Sequence, residues 1–295
     1  MTTMAHDSVV PEAATAERRW VGAPTRVDRA LAELGLARSR SHASELIQSS
    51  RVQVEGAVVT KSGARVHDGA LLKVTGGEEY VSRGAHKLIA ALDSFNINPA
   101  GRLALDLGAS TGGFTQVLLK RDAREVLAVD VGHDQLADQI RADSRVRVVE
   151  GCNARNLDSA ELSRLTGVDE APSLVVADLS FISLTLVLPA IARCASTDAD
   201  LALLIKPQFE VGRVRGGVVT DPAQWRAAIH KVLDAAGECG LEPRGLALSP
   251  IAGSEGNREF LVHFVRGEAA DPREWEERVR ELCAQAAAEG EWSPV

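Results

Sequence analysis

From Thr25 onward, apolar residues recur at helical spacing: Val27, Ala30, Leu31 and Leu34 form one stripe, Arg26 and Arg29 lie off it, and Gly35 ends the helix. A second helix is expected after Ser39, a good N-cap, with Ala43, Leu46 and Ile47 on its apolar face and Arg38, Arg40 and His42 around its start. The period then shortens. RVQVEGAVV predicts two short strands around a Glu55-Gly56 turn, and HDGALLKV predicts an Asp-Gly turn leading into a last strand. Past the Gly76-Gly77 pair a new helix carries Lys87, Leu88, Ala91, Leu92 and Phe95. Short apolar runs, LALDLG, EVLAVD, RVVE, SLVVAD and LALLIK, alternate thereafter with helical stretches, and EFLVHFV makes one more strand. Alternation of that kind predicts a doubly wound α/β fold with a buried, Rossmann-like parallel sheet behind a small α+β domain. The expected boundaries are a disordered extension over 1–24, a first domain over 25–75, a linker over 76–83 and a second domain over 84–295. Trp275, Val279, Leu282 and Cys283 predict a last helix that covers a sheet edge.

Composition fits this architecture. The 295 residues are 45% hydrophobic and 25% charged, ordinary for a soluble globular chain of about two domains. The first 20 residues lack a secretory pattern, and the longest apolar runs fall well short of a spanning segment, so no membrane role is expected. Four widely spaced cysteines without a CxxC pair argue against a zinc cage or disulfide framework and fit a reduced cytoplasm. A net charge of -8 at first discourages a nucleic-acid partner, but its distribution is uneven. Residues 25–75 hold eight Lys and Arg against five Asp and Glu, whereas residues 268–295 hold three against eight. The basic front could be a binding face or only a solvated surface.

The segment TRVDRALAELGLARSRSHASELIQSSRVQVEGAVVTK resembles the alpha-L RNA-binding module first known in ribosomal small-subunit protein four. Arg26, Asp28, Leu31, Gly35-Leu36, Ser39-Arg40, Ala43, Leu46 and Ile47 carry the likeness; Ser50 and Glu55 replace the family's usual Gly and Asn. The resemblance implies that Arg26, Arg29, Arg38 and Arg40 grip phosphates of a structured RNA. With few aromatics in this domain, base stacking is not expected there.

In the second domain LALDLGASTGGFTQVLL places Asp106, Gly108, Ser110, Gly112 and Gly113 in and beside the loop after the first strand. The GxxxGG spacing is neither the GxGxxG of a pyrophosphate site nor a nucleotide P-loop, so the turn favours a ligand that is not anionic there. S-adenosylmethionine fits, its sulfonium gaining from a carboxylate such as Asp106. Asp130, closing the second strand, stands where a carboxylate accepts ribose hydroxyls, and Asn153 could meet the adenine edge. The bland alternative is strand-to-helix punctuation, with Asn153 a turn former.

Four further residues are expected at the same rim: Lys87 before the first strand, Asp178 ending the fourth in VVADLSF, Lys206 ending the fifth in LLIKPQFE, and Glu259 opening the last in GNREF. Lysines and carboxylates ending apolar strands are costly to desolvate unless they pair. Together they resemble the Lys-Asp-Lys-Glu tetrad of FtsJ-like ribose 2'-O-methyltransferases. With GAHKL, DLGASTGGFT, VVADLSFISL, KPQFEVG and GNREF in order behind the RNA-binding module, residues 25 to about 266 resemble the TlyA, or hemolysin A-like, family of rRNA methyltransferases.

That resemblance implies 2'-O-methylation of cytidine in ribosomal RNA of one or both subunits. Lys206 is then the general base, with Lys87 disfavouring its protonated form, Asp178 orienting it, and Glu259 holding the second lysine or the ribose. No metal is expected, because the leaving group is a neutral thioether. Phe181 could stack on the cofactor or on an extruded base, or pack in the core. Arg83, Arg213 and Arg215 flank the expected cleft and are candidates for RNA phosphates. The competing readings are a catalytically silent ribosome-assembly factor, which would damage the tetrad or the turn, and a membrane-lytic hemolysin, which would need apolar segments the chain lacks.

Overall fold

The computed structural model describes residues 15–37, 39–48, 50–75, 80–212, 214, 216–267 and 272–290. It divides into two compact units, Met1–Glu79 and Tyr80–Val295. Of the expected features, Arg38, Arg213, Arg215 and the Gly76-Gly77 pair lie outside the described residues.

The first unit runs β1 (Thr15–Arg19), β2 (Thr25–Arg26), α1 (Val27–Glu33), α2 (Arg40–Gln48), β3 (Val52–Val54), β4 (Ala57–Val58), β5 (Arg65–Val66) and β6 (Leu71–Thr75). Val27, Ala30 and Leu31 of α1 and Ala43, Leu46 and Ile47 of α2 bury the predicted stripes against Val52, Leu72 and Val74. Ser39 Oγ accepts from the His42 backbone N–H at 3.1 Å, so the predicted N-cap holds. Between β3 and β4, Glu55 and Gly56 both have positive φ (51° and 80°), the signature of a two-residue type I′ hairpin.

The disordered extension expected up to residue 24 is corrected over its described part. β1 pairs antiparallel with β6, from Thr15 opposite Thr75 to Arg19 opposite Leu71, and Trp20 behind it is 8% exposed with its indole N–H donating to Ala23 O at 3.0 Å. Every residue of β1 is exposed, so an edge strand of sequence TAERR leaves no alternation to read.

The second unit runs α3 (Ala85–Ser94), β7 (Leu103–Leu107), α4 (Gly113–Lys120), β8 (Glu125–Val129), α5 (Asp138–Arg141), β9 (Val146–Val149), α6 (Ser159–Thr166), β10 (Leu174–Ala177), α7 (Leu188–Cys194), β11 (Asp200–Ile205), α8 (Pro207–Glu210), α9 (Pro222–Glu238), β12 (Leu241–Leu248), β13 (Phe260–Arg266) and α10 (Pro272–Gly290). The seven-stranded sheet has the order β12-β13-β11-β10-β7-β8-β9. Its five strands from β7 to β11 form the expected parallel sheet, and β13, the further strand expected at EFLVHFV, runs antiparallel to both β11 and β12, which makes the sheet as a whole mixed. β12 was not among the expected strands because Pro243 and Gly245 interrupt it at a register shift, which an edge position tolerates.

Side chains alternate across the sheet: Leu103, Leu105, Leu107, Val175, Leu201 and Leu203 join one core, and Ala104, Val126, Ala128, Val176, Ala202 and Leu204 the other. Helix α10 packs on α9 and the edge strand β12, burying Val279, Leu282 and Cys283 as expected. The expected linker ends earlier than residue 83. Tyr80 and Val81 pack against the second unit's core, and the Val81 N–H donates to Gln116 Oε1 at 2.7 Å. No described helix is long and apolar enough to cross a membrane.

Candidate active site

After β9 the chain returns to the middle of the sheet to lay β10 beside β7, which makes the junction of these two strands the switch point where a doubly wound sheet binds ligands. The loops leaving β7 and β10 touch there. A Cβ on Gly108, whose φ is +82°, would lie 2.9 Å from the Asp178 carbonyl oxygen, so only glycine lets the two loops close up. Gly113 likewise lets the start of α4 approach Ser82 and Ala85, at the base of the helix that carries Lys87.

Two adjoining cavities open at this point. The larger, about 610 Å³, is lined by Gly108, Ser110, Asp130, Asn153, Asp178 and Phe181 among others. The smaller, about 140 Å³, adds Gly113 and Lys206. Asp130 is fixed by two backbone donors, Ser110 N–H at 2.8 Å and Gly132 N–H at 2.7 Å, which leave it acceptor capacity facing the larger cavity. Asn153 Oδ1 accepts from the Arg155 N–H at 3.1 Å and caps a short 3-10 turn, so the turn-forming role and a place in the cavity wall coexist.

Asp106 and Gly112 line neither cavity, and the expected contact of Asp106 with a sulfonium is corrected. Asp106 is fully buried and accepts from Thr115 Oγ1 at 2.6 Å, tying β7 to α4 behind the loop. Desolvation, reinforced by the nearby Asp178 and Asp130 carboxylates and opposed by the Thr115 hydrogen bonds, pushes its pKa up to about 7. A carboxyl whose folded pKa exceeds its unfolded one binds more protons when folded, so stability falls as pH rises from about 4 to about 7. Calorimetric melting across that window should show the loss, and Asp106→Asn should flatten it by a few kcal/mol at its upper end.

The four predicted residues converge. Lys87 Nζ lies 2.6 Å from Glu259 Oε2 and 3.3 Å from Asp178 Oδ2, while Lys206 Nζ lies 2.6 Å from Asp178 Oδ1. The result is a chain in which carboxyl and amino groups alternate, Glu259, Lys87, Asp178, Lys206. Glu259 is 2% exposed, and the oxygen it places 2.6 Å from Lys87 Nζ is the geometry that a holder of the second lysine needs. Burial works against the Lys87 ammonium, but the Asp178 and Glu259 carboxylates outweigh it and leave its pKa above the ordinary lysine value. For Glu259 burial wins over the attraction of Lys87 and Lys206 and moves its pKa upward.

The pattern of lone charges did not identify the groups that support these residues. Ser180 Oγ accepts from Lys206 Nζ at 3.0 Å. Glu210, buried at the end of α8, accepts from Ser183 Oγ at 2.5 Å and the Leu184 N–H at 2.6 Å, pinning the loop after β10 to the segment after β11. Both lie in motifs already marked, DLSFISL and KPQFE, whose polar residues follow strand ends.

Phe181 sits at the tip of the pinned loop, 93% exposed and with φ of 63°, against Phe209 at 5.6 Å between ring centroids. A large aromatic held in water in the left-handed region is unfavourable twice over, which excludes the core-packing role and points to a contact surface. Phe181→Gly should relieve up to about 1 kcal/mol of backbone strain. It should leave the melting temperature unchanged or higher in a calorimetric scan.

In the first unit, Arg26 and Arg40 converge on buried Asp28, at 3.0 and 3.2 Å, and hold its carboxyl below the usual range. Arg29 pairs with Glu33 instead, and Arg83 in the second unit is exposed.

A family model described as FtsJ-like methyltransferase matches residues 80–266, and one described as S4 domain matches residues 25–72. The TlyA 16S/23S rRNA (cytidine-2'-O)-methyltransferase of Mycobacterium tuberculosis is 48% identical over 242 residues, covering 80% of this chain and 88% of its own. The chain belongs to the TlyA family of FtsJ-like methyltransferases. Within the family, hemolysin A of Brachyspira hyodysenteriae is 37% identical over 81% of this chain and 99% of its own. A solved hemolysin-designated structure from Streptococcus thermophilus, 36% identical, superposes with a TM-score of 0.71 over 91% of this chain and 97% of that one. Family membership accounts for the S4 module ahead of the methyltransferase sheet and for the hemolysin designation of relatives.

Proposed function

We propose that the protein transfers a methyl group from S-adenosylmethionine to the 2'-hydroxyl of a cytidine in ribosomal RNA, acting on ribosomal subunits in the cytoplasm. The observation that carries the reading is the paired tetrad, with Lys206 facing a cavity continuous with the Gly-rich loop. The donor set fits the cofactor: Asp130 offers carboxylate lone pairs for a ribose diol, and the 610 Å³ cavity is of the size that encloses a small cofactor. When bound, S-adenosylmethionine supplies an electrophilic methyl carbon whose leaving group is a neutral thioether.

The chain's own residues supply the rest. Lys206, as the neutral amine, takes the proton of the attacking ribose hydroxyl on Nζ, and the resulting ammonium gains from Asp178 at 2.6 Å. Lys87 holds the other Asp178 oxygen at 3.3 Å and is itself held by Glu259, so Asp178 cannot rotate away. Arg26 and Arg40, half-exposed around Asp28, present nitrogens to phosphates in a fixed frame. Relatives named as rRNA methyltransferases support the RNA substrate.

The test is incubation of the protein with labelled S-adenosylmethionine and purified small and large ribosomal subunits, followed by mapping of ribose methylation. Label at the 2'-oxygen of a cytidine is the expected result. Label in neither subunit nor in naked rRNA would favour the silent assembly-factor reading.

A further inference from the structure

The ladder between β10 and β11 closes at Ala177 opposite Leu203, so the sheet's own hydrogen bonds stop short of Asp178 and Lys206. Two other ties hold the loop after β10 to the segment after β11. At the near end Lys206 Nζ meets Asp178 Oδ1 at 2.6 Å and Ser180 Oγ at 3.0 Å. At the far end the buried Glu210 carboxylate accepts from the Ser183 hydroxyl at 2.5 Å on one oxygen and from the Leu184 N–H at 2.6 Å on the other. Lys206 caps and Glu210 ends a single helical turn, α8, in which the Phe209 N–H donates to Lys206 O at 2.9 Å and the Val211 N–H to Pro207 O at 3.0 Å. One short strut therefore grips the loop at two places. Lys231 of α9 steadies the strut, its Nζ donating to the Glu210 carbonyl at 2.7 Å and standing 3.7 Å from Oε2. Phe181 lies between the two grips, exposed and with its φ of 63°. A bulky residue keeps such a backbone only where its surroundings over-determine it, and an exposed side chain supplies little of that constraint. Released at Ser183 and Leu184, the loop can return Phe181 to ordinary backbone, and the adjoining Ser180 and Asp178 shift on Lys206.

We propose that Glu210 is a positioning residue for methyl transfer: by holding Ser183 and Leu184 it keeps Asp178 and Ser180 in place on the Lys206 amine. Its carboxylate borders neither the 610 Å³ nor the 140 Å³ cavity and acts through the loop alone. The role is one of geometry. A base displaced by about 1 Å from its working position can cost roughly a hundredfold in rate, even when the change lies away from the chemistry. The inference rests on the proposed reaction and adds to it the group that aligns its base.

Two conservative variants of the full-length protein separate geometry from charge. Glu210→Gln keeps the length of the arm: its amide oxygen accepts from the Leu184 N–H and its NH₂ donates to the Ser183 oxygen, which turns its own proton to Thr185 Oγ1, 2.7 Å away. Glu210→Asp keeps the charge but shortens the arm by one methylene, so it reaches Ser183 and Leu184 only by shifting the loop. Single-turnover rates are read on ribosomal subunits at saturating S-adenosylmethionine and RNA, beside melting temperatures. Glu210→Gln should react at close to the wild-type rate and Glu210→Asp about ten- to a hundredfold more slowly, with the RNA concentration giving half the maximal rate unchanged in both. Leu282→Ala, in the buried face of α10 and remote from the loop, controls for stability: it should melt earlier yet keep the wild-type rate. If either Glu210 variant does not fold, Ser183→Ala takes its place; it cuts one of the two bonds to the carboxylate and should slow the reaction in the same direction. A wild-type rate in Glu210→Asp or Ser183→Ala, or a Glu210→Gln as slow as Glu210→Asp, overturns the assignment of Glu210 and leaves the proposed reaction intact. So does a Leu282→Ala whose rate falls with its melting temperature, since rate would then follow stability alone. Absence of methylation by the wild type on every RNA overturns the reaction itself, and this inference with it.

Discussion

Lys206→Met lowers methyl transfer by about 10²- to 10⁴-fold, the contribution of a positioned general base, while S-adenosylmethionine and RNA still bind. The expectation follows from where the amine sits. Its nitrogen borders the 140 Å³ cavity together with Gly108, Gly113 and Asp178, and it is the lysine of the pair that faces open space. Lys87 is held between two carboxylates and has no such freedom. Methionine keeps the apolar stem packed and removes the group that takes the proton. Single-turnover rates with saturating RNA, beside calorimetric titration of the cofactor, separate the two effects. A variant that turned over at the wild-type rate would move the base elsewhere.

Asp178→Ala has the other large effect, and it reaches stability as well as rate. The carboxylate is bonded by distance to both lysines, so its removal leaves Lys206 with the Ser180 hydroxyl and Lys87 with Glu259 alone. Removing one partner from a buried ion pair typically costs about 3 to 5 kcal/mol. Partial exposure of Asp178 places the cost at the lower end, a fall of roughly 6 to 12 °C in melting temperature for a unit of this size. The pH dependence has a definite sign. Because the folded pKa of Lys87 lies above the ordinary 10.5, its ion-pair contribution is fully present below that value and disappears as pH rises through the folded pKa. The gap between wild type and variant should therefore be widest near neutrality and narrow under alkaline conditions. A gap that began to narrow well below 10.5, where the Lys87 contribution is still fully present, would count against this account.

Legibility in the sequence followed burial. Strands with one or both faces in the core, β7 to β11, announced themselves as apolar runs, and the tetrad stood out because charge at the end of such a run needs a reason. β1 and β12 escaped for the converse reason: one is exposed on both faces, and the other is broken by Pro243 and Gly245. Asp106 was assigned to the cofactor because its place before the Gly-rich turn is the same whether its side chain points into the cavity or behind it. Only the packing of α4 on β7, through Thr115, decides that.

The ladder between β1 and β6 has a consequence for modularity. Thr15 and Thr75 are partners, so the described part of the first unit begins and ends on two strands zipped side by side. The unit is thereby a closed cassette on a two-stranded stem, suited to grafting between two neighbouring positions in a surface loop of a host protein. A fragment begun at Thr25, where its recognisable sequence starts, would lack the stem and expose the edge of β6. A graft that keeps residues 15 to 75 would carry its own closure with it.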